Sequence, residues 1–368
     1  MTKILMHSLA LTLALLATMA GPAARAAEVT GLYQATLPVD SREDQRQRSR
    51  AFAAGMQEVL VKLTGHVDIA TAPGIQEALR SPQPYVESWA YQTRPDPRTQ
   101  VQHLSIDLNF YPADIQRLLN DAGIGLWPPN RIETLVWMII QDEKGERVLA
   151  DANAGTGVAE LQSLATQGAK FGLPGHAPLW DLEDQSVMTA ELLWSQDEAT
   201  LREASRRYQY ESILAMRVVK LVTGQVVAKA VHIFRDHVHE NEVLEGTLDD
   251  FFKSTAGMVA KELSDNYAVR MLSKQGESGR ASQLLLLSVE DVHSISDYAA
   301  VQHYLQTLPG ISDVHVREVN ADTLTFSLNA AGQVRQLVEN LAVDRKLQAL
   351  QKPGSADSSH LHYRWQAQ

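Results

Sequence analysis

Residues 133–140, ETLVWMII, are almost continuously apolar. A strand with one wet face alternates, whereas a run without polar gaps suits a strand buried on both faces, as in a parallel sheet. The run SILAMRVVKLV at 212–222 has the same character, and QVVAKAVHIFRD at 225–236 is placed to pair with it across Thr223-Gly224. Between these runs the spacing predicts a polar loop, a helix near 157–170 and a helix at 197–208. APLWDLED at 177–184 reads as a second strand end running into a helix at Ser186. The order β-α-β-α-β-β is that of a small α/β domain. A last helix is expected at 247–272, with Thr247 as its cap and Asp249 and Asp250 in its positive first turn. Its Leu248, Phe252, Thr255, Val259, Leu263 and Tyr267 follow helical spacing. A membrane-surface helix would carry excess Lys and Arg on its polar face, so this stripe reads as core.

Outward from this block, both flanks have their own patterns. On the N-terminal side, VTGLYQATLPV at 29–39 is a strand, and Ser41 caps a helix over 42–64, with Asp44 at the capping-box distance. Gly65 ends that helix. A short helix near 74–80, strands at 85–93 and 100–110, and a helix from Pro112 to about Ala122 follow. On the C-terminal side, SKQGESGRAS at 273–282 is a polar linker. Beyond it come a strand at 283–291, a helix from Ser294 or Ser296 through Leu305, a hairpin of 311–319 with 323–330, a helix at 332–341 and a closing strand at 360–366. This is the β-α-β-β-α-β order of a ferredoxin-like module, with both helices expected on one face of a four-strand antiparallel sheet. The fold class is therefore α/β and α+β: an N-terminal α/β module (27–130), a central α/β module (131–272), the linker, and the ferredoxin-like module (283–368). Such plans host many activities and specify none.

The chain opens with an export signal over residues 1–26. Lys3 precedes the apolar run 9–20 (LALTLALLATMA), Gly21 and Pro22 break it, and Ala24-Arg25-Ala26 offers the small-x-small pattern of a cleavage site. The run is too short to span a bilayer, which takes about 20 residues. Cleavage after Ala26 or Ala27 would leave a periplasmic protein, with no transmembrane segment in the mature chain. Among 368 residues there is no cysteine, which excludes disulfide frameworks, thiolate metal sites and cysteine nucleophiles. The formal net charge of -11 argues against nucleic acid as a partner.

Four patterns in the sequence could carry chemistry. His237-x-His239 and His360-x-His362 each place two imidazoles on one face of a strand, where they could pinch a metal ion, with His232 and Glu240 near the first pair. The alternative is a solvated strand edge. The remaining histidines are scattered, and His239-Glu240 lacks the second histidine of a zinc-protease motif. Gly276-Glu277-Ser278-Gly279 falls in the linker without a preceding strand, so it is no nucleophile elbow. Gly155-Thr156-Gly157 resembles part of a dinucleotide loop, but Glu160 stands where the third glycine belongs. Finally, Asp181, Glu183 and Asp184 lie at the expected strand end, the edge where open α/β sheets bind ligands. They could hold a cation or a sugar; otherwise they are helix caps and loop charges. No cofactor is expected.

Several segments carry a resemblance: LYQATLPV (32–39), EVLVKLTG (58–65), PYVESWAYQ (84–92), GIGLWPPNRIETLVWMII (123–140), PLWDLEDQ (178–185) and ASRRYQYESILAMRVV (204–219). In this order they resemble the exported Gram-negative family catalogued as domain of unknown function 2066, over nearly all of the mature chain. That resemblance implies export and no known activity. More loosely, RRYQYESILAMRV is similar to the N-terminal domain of the periplasmic propeller protein of the Tol system, and to a periplasmic flagellar T-ring protein. It departs at Gln209 and Tyr210, where those motifs carry Gly-Ala. The resulting expectation is a non-catalytic envelope protein that binds another envelope protein. The alternative is a periplasmic ligand-binding protein with its site at Asp181–Asp184.

Overall fold

In the computed structural model, residues 26–95, 102–270, 283–308, 310–330, 334–344, 346–350 and 360–366 are described. The strands are β1 (Ala26–Glu28), β2 (Gln34–Pro38), β3 (Val86–Pro95), β4 (Gln102–Phe110), β5 (Asn130–Ile132), β6 (Thr134–Gln141), β7 (Arg147–Leu149), β8 (Gly175–His176), β9 (Ser212–Lys220), β10 (Val226–Phe234), β11 (His237–Gly246), β12 (Gln283–Glu290), β13 (Ile311–Asn320), β14 (Thr323–Ala330), β15 (Leu347–Ala349) and β16 (His360–Trp365). The helices are α1 (Gln45–Thr64), α2 (Ile75–Arg80), α3 (Pro112–Asp121), α4 (Val158–Ala169), α5 (Leu182–Val187), α6 (Ala190–Ser195), α7 (Glu198–Ser205), α8 (Leu248–Tyr267), α9 (Ile295–Thr307) and α10 (Val334–Asp344). The molecule is of mixed α/β class, as its residue patterns require. The expected linker and all of the expected signal but Ala26 lie outside the described residues.

The apolar run forms β6, the inner strand of a six-stranded sheet ordered β11-β10-β9-β6-β7, with β8 against the other end of β6. β6 and β9 run parallel, from Thr134 opposite Ser212 to Gln141 opposite Val219. The period of two sends alternate residues of β6 to opposite sides. Val136, Met138 and Ile140 pack with Phe252, Val259 and Leu263 of α8. Leu135, Trp137 and Ile139 pack with Trp180, Met188, Leu193 and Leu201 around α5, α6 and α7. Two covered faces explain the unbroken apolar run. The expected strand at 177–184 is corrected: only Gly175–His176 pairs with β6. Trp180 then takes a left-handed conformation (φ 53°) and Asp181 starts a helix.

Two helix ends also differ from expectation. Asp44, not Ser41, caps α1, accepting from the backbone N–H of Arg46 and Gln47, while the Ser41 hydroxyl accepts from Glu43 N. α8 stops at Tyr267 because Val269 exchanges both backbone hydrogen bonds with Leu126, at 2.8 and 2.9 Å. Gly65 does end α1, at φ 72°, and a Cβ there would stand 2.3 Å from Ser264 Oγ on α8. The turn is therefore glycine both for its backbone and for the close helix approach.

The N-terminal sheet, β2-β4-β3, is antiparallel and shares a core with α1, α2 and α3. It is tied to the central sheet by β1, which pairs with β5, and by Arg131. The Arg131 side chain is fully buried and donates to five carbonyl oxygens: Lys62, Trp127, Pro128, Phe171 and Gly172. Its guanidinium lies 3.9 Å from the Trp127 ring centroid. Burial pulls its pKa down to about 9, which leaves it charged at neutral pH.

The C-terminal sheet is ordered β13-β14-β12-β16-β15. Its first four strands keep the ferredoxin-like order, and both α9 and α10 pack on the face carrying Leu285, Leu287 and Phe326. One strand is additional. β15 follows α10, takes the edge and forces β16 to return parallel to β12, with Leu286 opposite His360, so the expected four-strand antiparallel sheet is corrected to a mixed sheet of five strands. The module leans on the central sheet through Arg235 with Glu339, Asn340 with Tyr267 O, and Asn130 with Asp344.

Candidate functional site

Asp181, Glu183 and Asp184 do come together, though at a helix start and not in a strand-end crevice. Asp181 is the N-cap of α5, accepting from the backbone N–H of Glu183 and Asp184. Arg207, just beyond α7, grips Asp181 with both terminal nitrogens at 2.6 and 2.8 Å and reaches Asp184 Oδ1 at 3.0 Å and Glu183 Oε2 at 3.6 Å. The Asp184 side chain has no exposure. Its Oδ2 accepts from Trp180 N at 2.8 Å and from the Tyr208 hydroxyl. The Arg207 hydrogen bonds hold the Asp181 carboxyl well below the usual carboxylate range. Burial, reinforced by Asp184, pushes the Tyr208 hydroxyl up to about 12, so it stays protonated and donating. Every acid of the corner thus has a partner within the chain. The sequence reading missed Arg207, whose only local signal was the pair of arginines before Tyr208.

The glycines at 155 and 157 also have a structural reading. Asp151 and Thr156 close a tight bridge, and Gly157 opens α4 at φ 63°. A Cβ on Gly157 would lie 2.7 Å from Ala150 Cβ and 3.0 Å from Ile140 Cδ1. Glycine is required there by packing against β6, which accounts for it without a phosphate.

The histidines occupy the free edge of the central sheet. β10 turns through Arg235-Asp236 into β11, and strand alternation points His237, His239 and Asn241 toward α8. Glu262 of α8 lies between the two imidazoles. Its Oε1 is 3.1 Å from His237 Nδ1 and its Oε2 is 3.0 Å from His239 Nε2. Glu262 is only 14% exposed, against 66% and 44% for the histidines. Asn241 donates to Ser254 Oγ and Thr255 Oγ1 of the same helix, which fixes strand against helix two turns before Glu262. The other neighbours considered, His232 and Glu240, do not join. Glu240 pairs with Lys229. His232 is buried opposite His239, bonded at 3.0 Å to Ser212 Oγ, and burial lowers its pKa to about 3. Glu262 was missed because it lies on another element, 23 residues beyond His239. His360 and His362 stand with ring centroids 4.2 Å apart and His360 Nε2 2.8 Å from Ser288 Oγ, and among the described residues they gather no third ligand.

Comparison with known proteins corrects the resemblance. The family model that matches is "Domain of unknown function (DUF8605)", over residues 26–128, and not domain of unknown function 2066. The likeness to the Tol-system propeller protein finds no counterpart. No curated protein matches the sequence. Among solved structures, the competence or damage-inducible protein from Enterobacter asburiae is 14% identical over 40% of this chain and 89% of its own, with a TM-score of 0.21. Among the described residues, no helix is long and apolar enough to cross a membrane.

Proposed function

We propose that this chain is a non-catalytic protein of the bacterial envelope that works by contact with another envelope protein. The observation that carries the reading is a run of exposed apolar side chains around α5 and α6. Leu179, Leu182, Val187 and Leu192 all face solvent within one short stretch, and Val148 does so on the neighbouring edge strand β7. A shallow open cleft beside them is lined by Trp180, Met188, Ala190 and Val148. Large apolar groups exposed within so short a stretch favour a contact surface over a solvated one. Periplasmic location rests on Lys3, the apolar run at 9–20 and the Ala24-x-Ala26 pattern. The alternative ligand site at Asp181–Asp184 would have to displace Arg207 from three carboxylates, which disfavours it.

Crosslinking in intact cells followed by pull-down tests the proposal. The wild type is expected to capture one envelope protein, and Leu179→Asp with Leu182→Asp to lose it while melting normally. Capture unchanged by that double substitution would refute the assigned surface. N-terminal sequencing should find Ala27 or Glu28 first; a soluble cytoplasmic form retaining Met1 would refute the location.

A further inference from the structure

We infer that His237, His239 and Glu262 form a binding site for one first-row divalent cation, of the zinc type. The reading is independent of the contact surface. Two imidazoles and one carboxylate are the ligand set of open zinc sites, in which solvent fills the fourth position. Here all three donor atoms lie within 4.8 Å of one another. Glu262 meets the two rings with different oxygens, Oε1 at 3.1 Å from His237 Nδ1 and Oε2 at 3.0 Å from His239 Nε2, so its carboxylate spans the gap between the imidazoles and can turn one or both oxygens to a cation held there.

Placement is set by the fold. His237 and His239 are two apart on one strand face, and Glu262 reaches them from a helix that Asn241 already ties to the same strand. Behind the site, Phe234 and His232 are buried opposite His237 and His239, giving one dry wall. Such a wall raises the strength of a charge-to-ligand contact on its side. The histidines themselves face water, which leaves an entry path and a solvent position on the ion. Binding needs no covalent step. Each imidazole nitrogen that faces Glu262 gives up its proton, its other nitrogen takes one, and the freed lone pair goes to the ion.

A second acidic and imidazole group, Asp291 with His293 and Asp322, offers a contrast. There Arg364 Nε is 3.1 Å from Asp291 and already supplies positive charge. Imidazole-rich sites favour zinc, copper, nickel and cobalt over magnesium or calcium.

The test is titration of the tag-free protein with Zn2+ by calorimetry and with Co2+ by visible absorption. One ion per chain is expected, together with a Co2+ band of low-coordinate type. His237→Asn with His239→Asn should weaken binding by at least about tenfold, and Glu262→Gln should do so alone. Asp291→Asn with Asp322→Asn, and His360→Asn with His362→Asn, should leave it unchanged. Because Glu262→Gln changes no shape, it keeps the test open if the double histidine variant unfolds. Absence of Zn2+ and Co2+ binding by the wild type would overturn the inference, as would unchanged binding in Glu262→Gln.

Discussion

The acidic corner at Asp181–Asp184 and the histidine edge at His237–His239 looked alike as sequence: polar ligand-type residues closely spaced beside an apolar strand. Their surroundings separate them. At the corner, a cationic side chain and a tyrosine hydroxyl consume the carboxylates, and Asp184 is sealed from water. At the edge, both rings share the one Glu262 carboxylate and remain exposed. A cluster whose charges are cancelled internally is part of the framework, whereas one whose donors converge and stay wet is free to take a ligand.

The sharpest way to break this comparison is Asp184→Ala. It strands the Tyr208 hydroxyl, Trp180 N–H and part of the Arg207 charge, and should cost about 3–5 kcal/mol in urea unfolding. A loss under about 1 kcal/mol would return the corner to the list of ligand sites.

The next effect concerns His232, behind the histidine edge. Its folded pKa, about 3, lies below its ordinary 6.5, so between these values the unfolded chain binds a proton that the folded one refuses. Stability should be full above pH 6.5 and fall as pH drops toward 3, by up to about 1.4 kcal/mol per pH unit. His232→Leu should flatten the profile between pH 4 and 6.5 in melts of the two proteins. Asp181 has a lowered pKa and so adds a loss only on acidification below about 4, outside that window.

Smaller again is Tyr208→Phe, which removes a donor to Asp184 and an acceptor for Leu179 N. It should cost about 1–2 kcal/mol by denaturant titration. Smallest is Glu262→Gln without metal. Loss of two mostly exposed imidazole contacts should stay within about 1 kcal/mol. A larger loss would make Glu262 a structural residue like Asp184, and the comparison would collapse.

Local pattern carried much of the fold. The unbroken run of β6, the helical stripe of α8 and the succession of β12, α9, β13, β14 and α10 along the chain follow from periodicity, because burial on a given face leaves a repeat in the residues themselves. Short edge strands leave no such repeat. β8 has two residues and β15 three, and each exists because a neighbour offers unpaired backbone. The candidate sites were half legible. Asp181, Glu183, Asp184, His237 and His239 are local, but Arg207 and Glu262, which decide what those residues do, come from other segments of the chain. A salt-bridging arginine and a bridging glutamate look like ordinary solvated charges until the chain has folded over them. The family resemblance failed for a related reason: short apolar and aromatic segments satisfy general demands of strands and helix ends, so agreement in their order does not identify a lineage.

The carbonyl cage around Arg131 bears on how the molecule comes apart. Its five oxygens belong to the end of α1, the turn at 127–128 and the loop after α4, and two of the three lie on opposite sides of residue 128. The segment matched by the family model stops there, yet its β1 pairs with β5 beyond it, and Leu126 pairs with Val269. Cutting the chain at that point would remove the cation and leave a strand without its mate. The N-terminal and central sheets should accordingly melt in one cooperative transition, and a 26–128 fragment should lack the sharp calorimetric peak of an independent folding unit.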